Sequence, residues 1–489
     1  MWEMPEMSID SLNINFSAIL PEIFLTAVAL VVLVFDFFLP KQRKAILGYL
    51  SLVGLVILLP IVILSAGTRP SFGGMVVADP FAGFFKIIFI LAAIFTILIS
   101  MEYLKRVKID SGEYYYIILF ATVGMMVMAS SNDLLNFYVG LELMALSFYI
   151  LVAMRVNETR SAEGALKYFV LGALSSGILL YGISFAYGTS GTTNLMEISR
   201  QAGNVSAGNS YLLLALALIA VGFSFKVALF PFHIWAPDAY EGAPTPVTAL
   251  LSVGSKTAAF AVFLRVFVVA FPAFQPQWAK LLWILSAATM VFGSVVAIAQ
   301  KNIIRMLAYS SIAHAGVILI GLLVFNQNGL SGVLYYLLVY TFMNMGAFTV
   351  VTLCVTSKQK GEKISDYKGL AAHQPLVAFS LTIFLLSLAG VPPTGGFAAK
   401  FIILAAAIEA HYYWLAAIGV VATAIALFFY ARVIFYVYMQ ESEKGVEVPS
   451  VGLTYRVVLF VSAVGTMVLG VYPSPFIEIG VNAIKPFMP

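Results

Sequence analysis

The sequence predicts an all-α polytopic membrane protein, with about fourteen transmembrane helices in a single integral domain over residues 1–489. Of the 489 residues, 61% are hydrophobic and only 10% are charged. A soluble globular domain carries roughly 25% charged residues, so a water-soluble fold could not bury this much apolar surface. The apolar runs are long and continuous, which excludes a transmembrane β-barrel with its short alternating strands.

Fourteen apolar runs, each long enough to cross a hydrocarbon core about 30 Å thick, define the predicted helices. Helices 1 to 7 are expected at residues 17–39, 45–66, 80–101, 114–130, 133–154, 163–187 and 211–232. Helices 8 to 14 are expected at residues 245–270, 278–299, 303–325, 330–356, 376–410, 412–439 and 454–472.

Basic residues determine the predicted orientation of these helices. The loops on one side of the membrane, after the odd-numbered helices, carry Lys41, Arg43, Lys44, Lys105, Arg106, Lys108, Arg155, Arg160, Lys301, Lys358, Lys360, Lys363 and Lys368. The loops on the other side carry little beyond Arg69 and Arg200. Because cytoplasmic loops are enriched in Lys and Arg, both termini are expected outside, in the periplasm. The N-terminal segment is acidic and contains no basic region, so the first apolar run is expected to be a spanning helix rather than a signal peptide.

Two predicted helices are interrupted. Pro231 falls within the apolar run of helix 7, and Pro392, Pro393, Gly395 and Gly396 fall within helix 12. Proline removes a backbone donor and glycine adds conformational freedom, so neither run can continue as a regular helix. Such backbone survives at membrane depth only where it lines a polar cavity or is buried in protein, and paired interruptions are typical of inverted-repeat transporters.

A weak internal repeat accompanies these interruptions. Gly164–Tyr168 opens helix 6, and the similar Gly332–Tyr336 opens helix 11, 168 positions later. Helices 4 to 8, residues 114–270, would then match helices 9 to 13, residues 278–439. Because each unit contains an odd number of helices, the second unit must be inverted in the membrane.

Single ionisable residues lie inside the predicted spans, where a charge costs on the order of 3 kcal/mol or more. They are Glu142, Lys167, Lys226, Lys256, His314 and Lys400. A series of such residues over successive helices predicts a path for protons or ions through the membrane. Lys226 and Lys400 each adjoin an interruption, and Lys226 is expected to titrate together with Glu142. Lys256 shares a predicted helix face with Ser252.

Other charged residues have simpler interpretations. Glu163 and Lys167 are four positions apart at the inner end of helix 6, either as a helix-stabilising ion pair or as part of the path. His314 shares a face with Ser310 and is as readily a packing residue as a proton relay. Three further cations in the spans are expected to be structural: Lys86, Arg265 and Arg432.

Composition and motifs argue against several chemistries. The one cysteine, Cys354, cannot by itself supply a disulfide, a cysteine-ligated cluster or a cysteine zinc site. The glycines after Pro393 lie inside an apolar span, so we expect no phosphate-binding loop and no bound NADH, flavin or haem. The net charge of +4 is small, and no nucleic-acid partner is expected. The proline-rich segment 235–246 is expected to be a rigid connector rather than a metal site.

The segment from Phe223 to Lys256 resembles the signature of the antiporter-like membrane subunits of respiratory complex I. The matching residues include Lys226, Pro231, Phe232, His233, Trp235, Pro237, Asp238, Tyr240, Glu241, Gly242, Pro244 and Pro246. Stretches 140–153 and 161–177 are similar to the subunit N branch of that family in particular. The resemblance covers about residues 15–475 and implies fourteen helices with two inverted five-helix repeats. It maps the glutamate and lysines of the family onto Glu142, Lys226, Lys256 and Lys400.

The resemblance also implies a function. The chain would be a proton-translocating subunit in the membrane arm of a bacterial NADH:quinone oxidoreductase, without redox chemistry of its own. NADH, FMN, iron–sulfur clusters and quinone would be bound by other subunits. The expected partners are an antiporter-like M-type subunit and small K-, J- and A-type subunits in the bacterial inner membrane.

Two alternatives remain at this point. A large subunit of a multi-subunit Na⁺/H⁺ antiporter shares the same motifs, although the helix 5–6 stretch favours subunit N. A non-pumping scaffold of the membrane arm is the other alternative, and the costly buried lysines argue against it.

Overall fold

The structure is a computed structural model that describes residues 14–40, 43–107, 109, 111–204, 209–355, 361–441 and 450–487. Within this part of the chain, twelve continuous helices are long and apolar enough to span a membrane. Four of the basic residues used to predict the orientation lie outside the described residues: Lys41, Lys108, Lys358 and Lys360.

Each predicted helix corresponds to a helix or to two half-helices, and the predicted numbers are kept here. Helices 1 to 6 are Phe16–Phe38, Ala45–Ser65, Pro80–Val107, Glu113–Ser130, Leu134–Val152 and Thr159–Ser190. Helix 7 consists of helix 7a, Ser210–Lys226, and helix 7b, Trp235–Gly242. Helices 8 to 11 are Thr245–Ala270, Gln275–Ala299, Ile303–Val324 and Gln327–Cys354. Helix 12 consists of helix 12a, Pro375–Ala389, and helix 12b, Gly395–Glu409, and helices 13 and 14 are Tyr413–Met439 and Leu453–Val471.

Several helix ends differ from the prediction. Helix 3 continues to Val107, six residues beyond its predicted end, and helix 6 begins four residues early at Thr159. Charged residues such as Lys105 at these ends stopped the apolar runs but do not stop a helix, since long cationic side chains extend to the membrane surface. The apolar run of helix 7 was predicted to stay helical to residue 232, but helix 7a ends at Lys226. The predicted connector instead contains helix 7b.

A short β-hairpin between helices 2 and 3 departs from the all-α prediction. Strands Thr68–Ser71 and Val76–Ala78 pair antiparallel. Gly73 and Gly74 both adopt positive φ in the turn, a conformation that glycine takes without steric cost. The other short helices that were not predicted are Leu195–Asn204, Leu370–His373 and Ser474–Ile484.

The helices divide into a central and a peripheral group. In helices 8 and 10, 94% of the most apolar window is buried inside the protein, compared with 33% in helices 1, 13 and 14. Helix 8 contains two π-helical turns, Leu251–Ser255 and Val266–Ala270. The central group therefore places the polar residues of helices 8 and 10 in the interior, where every polar atom needs a protein or water partner.

Candidate functional site

Helix 7a ends at Lys226, and the side chain of this lysine is buried. Ala228 then adopts a left-handed backbone with φ of 59°, and Pro231 has no N–H to donate, so the helix does not resume before Trp235. The Trp235 indole Nε1 donates to the Phe225 carbonyl at 2.9 Å, which satisfies one carbonyl at the helix end. The interruption thus places an ammonium group within the protein interior.

A serine hydroxyl lies between Glu142 and Lys226. Ser176 on helix 6 donates to Glu142 Oε1 at 2.5 Å and accepts from Lys226 Nζ at 3.4 Å. Ser176 and Lys226 are buried, whereas Glu142 is partly exposed on helix 5. The structure therefore brings the two predicted residues together through a shared hydroxyl rather than through a direct ion pair. Ser176 was not among the residues predicted to form the site.

Lys256 on helix 8 is buried and contacts helix 10. Its Nζ donates to the Ser311 carbonyl at 3.0 Å and also contacts the Ser311 hydroxyl. Ser252, which was predicted to share a face with Lys256, instead accepts from the Asn344 amide of helix 11 at 2.6 Å. Ser252 lies within the π-turn Leu251–Ser255, whose wider winding turns residues four apart away from a common direction.

His314 on helix 10 lies in a cluster of hydroxyl groups. Its Nδ1 is 2.6 Å from the Tyr336 hydroxyl, and its Nε2 is 3.3 Å from the Tyr430 hydroxyl. Tyr430 also hydrogen-bonds Ser310, the residue predicted to share a face with His314. Both ring nitrogens therefore have polar partners, an arrangement that suits either a satisfied interior histidine or a relay.

The interruption of helix 12 lies directly beside Lys400. Helix 12a ends at Ala389, and Pro392 and Pro393 lie in the non-helical segment before helix 12b. Lys400 is buried, and its Nζ donates to the carbonyls of Leu388 and Ala389 at 2.8 and 3.1 Å. These carbonyls belong to the last turn of helix 12a, where backbone acceptors have no intrahelical donor.

Glycines permit this close approach. Gly390 has φ of 85°, and a Cβ there would lie 3.0 Å from Lys400 Cδ. A Cβ at Gly396 would lie 1.8 Å from the Ser387 carbonyl oxygen, a distance that real structures do not allow. The Gly396 N–H instead donates to the Ser387 hydroxyl at 3.0 Å. Gly395 is the first residue of helix 12b.

A small cavity joins Lys400 to the hydroxyl cluster. Its volume is about 10 Å³, close to the space that one water molecule needs. Polar lining residues come from helices 9, 10, 12b and 13: Ser294, Ser310, His314, Lys400, Thr423 and Tyr430. Lys400 and His314 therefore line the same small cavity.

Glu163 and Lys167 lie in a different environment from the buried lysines. Their side chains are 59% and 42% exposed, and Lys167 Nζ lies 2.6 Å from Glu163 and 2.8 Å from Asp238 on helix 7b. Asp238 also accepts from Arg305 of helix 10 at 2.8 Å. This ion cluster therefore connects helices 6, 7b and 10 near the protein surface.

His233, which was noted only within the signature segment and was given no role of its own, lies in the interruption of helix 7. It is 6% exposed, and its Nδ1 has no hydrogen-bond partner among the described residues. Its ring packs against Phe230 and Phe292, at centroid distances of 5.6 and 4.5 Å. A histidine next to an interruption in an apolar run is the sequence signal that could have identified it.

The cations expected to be structural make contacts that join helices. Arg265 forms a bidentate ion pair with Asp79 at 2.8 and 2.9 Å. Lys86 pairs with Glu22 at 2.8 Å. Arg432 donates to backbone carbonyls at the end of helix 9. In the described part of the chain, His, Cys, Asp and Glu form no group suited to hold a metal ion.

The helical fold with two interrupted helices and buried lysines defines a polytopic membrane protein of the antiporter type. The chain belongs to the family described as NADH:quinone oxidoreductase/Mrp antiporter, whose model matches residues 131–426. It is 45% identical to NADH-quinone oxidoreductase subunit N of Trichlorobacter lovleyi, over 97% of this chain and 98% of that protein.

Two solved structures of respiratory membrane complexes contain chains with a similar fold. A chain of respiratory complex I from Thermus thermophilus superposes with a TM-score of 0.80 at 30% identity, covering 94% of this chain and 98% of that one. A chain of the membrane-bound sulfane sulfur reductase, an archaeal respiratory membrane complex, superposes with a TM-score of 0.85 at 27% identity. The coverage there is 95% of this chain and 96% of that chain.

Proposed function

We propose that this chain is the subunit N of a quinone-reducing respiratory complex and that it conducts protons within the membrane arm. The single observation that carries the proposal is the row of buried lysines, Lys226, Lys256 and Lys400, whose ammonium groups contact neutral oxygens in the interior. Burying an ammonium group is costly, and a lysine in such a site exchanges its proton more readily than one in water. Three such sites in one chain favour transport over a purely structural role.

A chain of polar groups supports a path between two of these lysines. Lys256 contacts Ser311, and Ser310, the preceding residue of helix 10, hydrogen-bonds Tyr430. No hydrogen bond joins the two serine hydroxyls among the described residues, so water would bridge them. Tyr430 contacts His314, which shares a cavity with Lys400. Each hydroxyl and imidazole in this chain can accept one proton while donating another. We propose that protons move from Lys256 to Lys400 through these groups and through water beside the interruption.

Glu142 and Ser176 would control the first lysine. With Glu142 near, the negative charge holds the proton on Lys226, and when Glu142 moves away Lys226 loses that stabilisation and passes its proton towards Lys256. Quinone reduction on other subunits would supply this displacement. A few kcal/mol per step suffices, since one pKa unit corresponds to about 1.4 kcal/mol.

The complex would supply everything that this chain does not. NADH, FMN, iron–sulfur clusters and quinone would bind to other subunits, and the neighbours would be M-type and small K-, J- and A-type membrane subunits. We further propose that helices 7 and 12 complete fourteen spans and that residues 114–270 and 278–439 are inverted repeats. Both termini would lie in the periplasm, with the chain in the bacterial inner membrane.

The test is Glu142→Gln in the assembled complex. Glutamine keeps the side-chain shape and can still contact Ser176, but it carries no charge. We expect quinone-coupled proton pumping to fall about tenfold, which corresponds to roughly 1.4 kcal/mol in the barrier, while assembly is retained. Pumping is measured in inverted membrane vesicles, and assembly from the abundance of the purified complex.

The matched control is Glu197→Gln. Glu197 lies in the short helix Leu195–Asn204, and among the described residues its one ion pair is with Arg200, at 2.6 Å. It should pump like the wild type. Wild-type pumping by an assembled Glu142→Gln complex would contradict the proposed function.

A further inference from the structure

A groove between helices 12a and 14 combines an apolar wall with a cationic end. Its volume is about 730 Å³. The apolar wall includes Leu376, Phe379, Ile383, Phe460, Ala463 and Val468. Arg456 and Gln374 line the same groove, and both lie at the start of the helices that form it. The groove is therefore polar and cationic at one end and apolar over the rest of its length.

The dimensions match one leaflet of a bilayer. At 1.5 Å per residue, the groove extends about 18 Å along helix 14, from Arg456 to Val468, and about 13 Å along helix 12a, from Gln374 to Ile383. Half of a hydrocarbon core is about 15 Å thick. In the proposed orientation both helices start at the cytoplasmic side, so the polar end lies at the headgroup level of the cytoplasmic leaflet.

Arg456 is held in place at this end. Its Nε donates to the Val451 carbonyl at 2.9 Å, and its side chain is exposed. No carboxylate of the described residues forms an ion pair with it. A guanidinium binds a phosphodiester through paired N–H donors, and basic sites at the cytoplasmic surface of membrane proteins attract anionic lipids.

We propose that this groove binds one anionic phospholipid of the cytoplasmic leaflet, with the phosphate at Arg456 and an acyl chain along helices 12a and 14. The charge of Arg456 is complementary to the phosphate, and the apolar wall is complementary to the chain. Gln374 supplies an amide that hydrogen-bonds the headgroup. The lipid would fill the groove on the outer side of helix 12a, the half-helix whose last carbonyls hold Lys400.

The test uses the intact complex purified in mild detergent, depleted of lipid and then supplied with phosphatidylglycerol or phosphatidylcholine. Bound lipid is counted by native mass spectrometry. Arg456→Gln should lower phosphatidylglycerol binding about fivefold, because one basic residue near an anionic headgroup contributes roughly 1 kcal/mol. Arg456→Lys should retain most of it. Arg43→Gln, at an exposed arginine before helix 2 on the same side and outside the groove lining, should bind lipid like the wild type.

A second variant tests the apolar wall. Ala463→Trp places a large ring in the groove without changing Arg456, and it should reduce the binding of both lipids. Equal lipid binding by the wild type, Arg456→Gln and Ala463→Trp would overturn the proposal. Displacement of phosphatidylglycerol by millimolar inorganic phosphate would indicate a free-anion site and would also overturn it. So would a cross-link from Ala463→Cys to a neighbouring subunit, since protein would then cover the groove.

Discussion

The two interrupted helices hold their lysines in different ways. In helix 7 the lysine precedes the break, and Lys226 reaches a hydroxyl that Glu142 shares. In helix 12 the lysine follows the break, and Lys400 reaches back to the carbonyls of Leu388 and Ala389. Both ammonium groups nevertheless lie near the C-terminus of a first half-helix, where the helix dipole favours a cation.

This difference separates two ways of stabilising a buried cation. Lys226 has a carboxylate nearby, and the charge of a carboxylate can move or be neutralised by a proton. Lys400 has backbone dipoles, which neither titrate nor leave while helix 12a is folded. The first arrangement can therefore be switched from outside, whereas the second provides a fixed site. We infer that helix 7 is suited to receive a signal and helix 12 to hold a proton in transit.

Removing the cation of the fixed site should have the largest effect. Lys400→Met keeps an unbranched side chain of nearly the same length but cannot carry a proton, and we expect proton pumping to fall about a hundredfold, the lower range for loss of a proton-transfer group. Pumping is measured in inverted vesicles, with quinone reduction and complex abundance measured separately. Lys280→Met, at an exposed lysine of helix 9, is the matched control and should pump normally.

The same variant could also show that the two lysine sites do not differ in this way. If Lys400→Met complexes assemble and pump as well as Lys280→Met complexes, then the carbonyls of helix 12a hold a structural cation. The distinction between a switched site and a fixed site would then have no basis.

Lys256 tests whether a carbonyl-bound lysine must release its proton. Arginine keeps the charge but remains protonated at any working pH, and methionine removes the charge. For a relay, both Lys256→Arg and Lys256→Met should lower pumping, by about tenfold or more. For a structural cation, Lys256→Arg should retain full turnover and Lys256→Met should mainly reduce complex abundance. Measuring both quantities in both variants separates the two roles.

The positions of the buried lysines were predictable from the sequence, because a charge inside an apolar run is costly and therefore conspicuous. The interruptions were predictable for a similar reason, since Pro392 and Pro393 cannot continue a helix. The two β-strands were not, because together they contain only seven residues and lack an alternating pattern.

The contacts that hydroxyl groups of the site make across helices could not be predicted. A serine in an apolar helix usually bonds its own backbone, as Ser224 does with the Ala220 carbonyl at 2.6 Å. Ser176 instead bonds across helices to Glu142, and only the packing of helices 5, 6 and 7a distinguishes the two cases. Tyr430 likewise lies 116 positions from His314 in the chain. The helical periodicity of the sequence relates residues only within one helix, so it does not reveal such a contact.

Ser176→Ala should have the smallest effect, and it tests what makes the lysine site of helix 7 differ from that of helix 12. The hydroxyl connects Glu142 to Lys226, so its removal should leave Lys226 closer to the situation of Lys400, with no carboxylate coupled to it. We expect pumping to fall about fivefold, since one buried hydrogen bond contributes roughly 1 kcal/mol. Ser176→Thr keeps the hydroxyl and should restore most of the pumping measured in inverted vesicles.

Ser175→Ala is the matched control for this prediction. Ser175 is the neighbouring serine, is equally buried at 4% exposure, and contacts the Gly222 carbonyl at 3.4 Å rather than Glu142 or Lys226. Loss of a buried hydroxyl alone should therefore affect both variants, whereas loss of coupling should affect only Ser176→Ala. Equal pumping by the two alanine variants would show that Ser176 does not couple the carboxylate to the lysine. The helix 7 site would then be as fixed as the helix 12 site, and the signal from quinone reduction would have to enter the chain elsewhere.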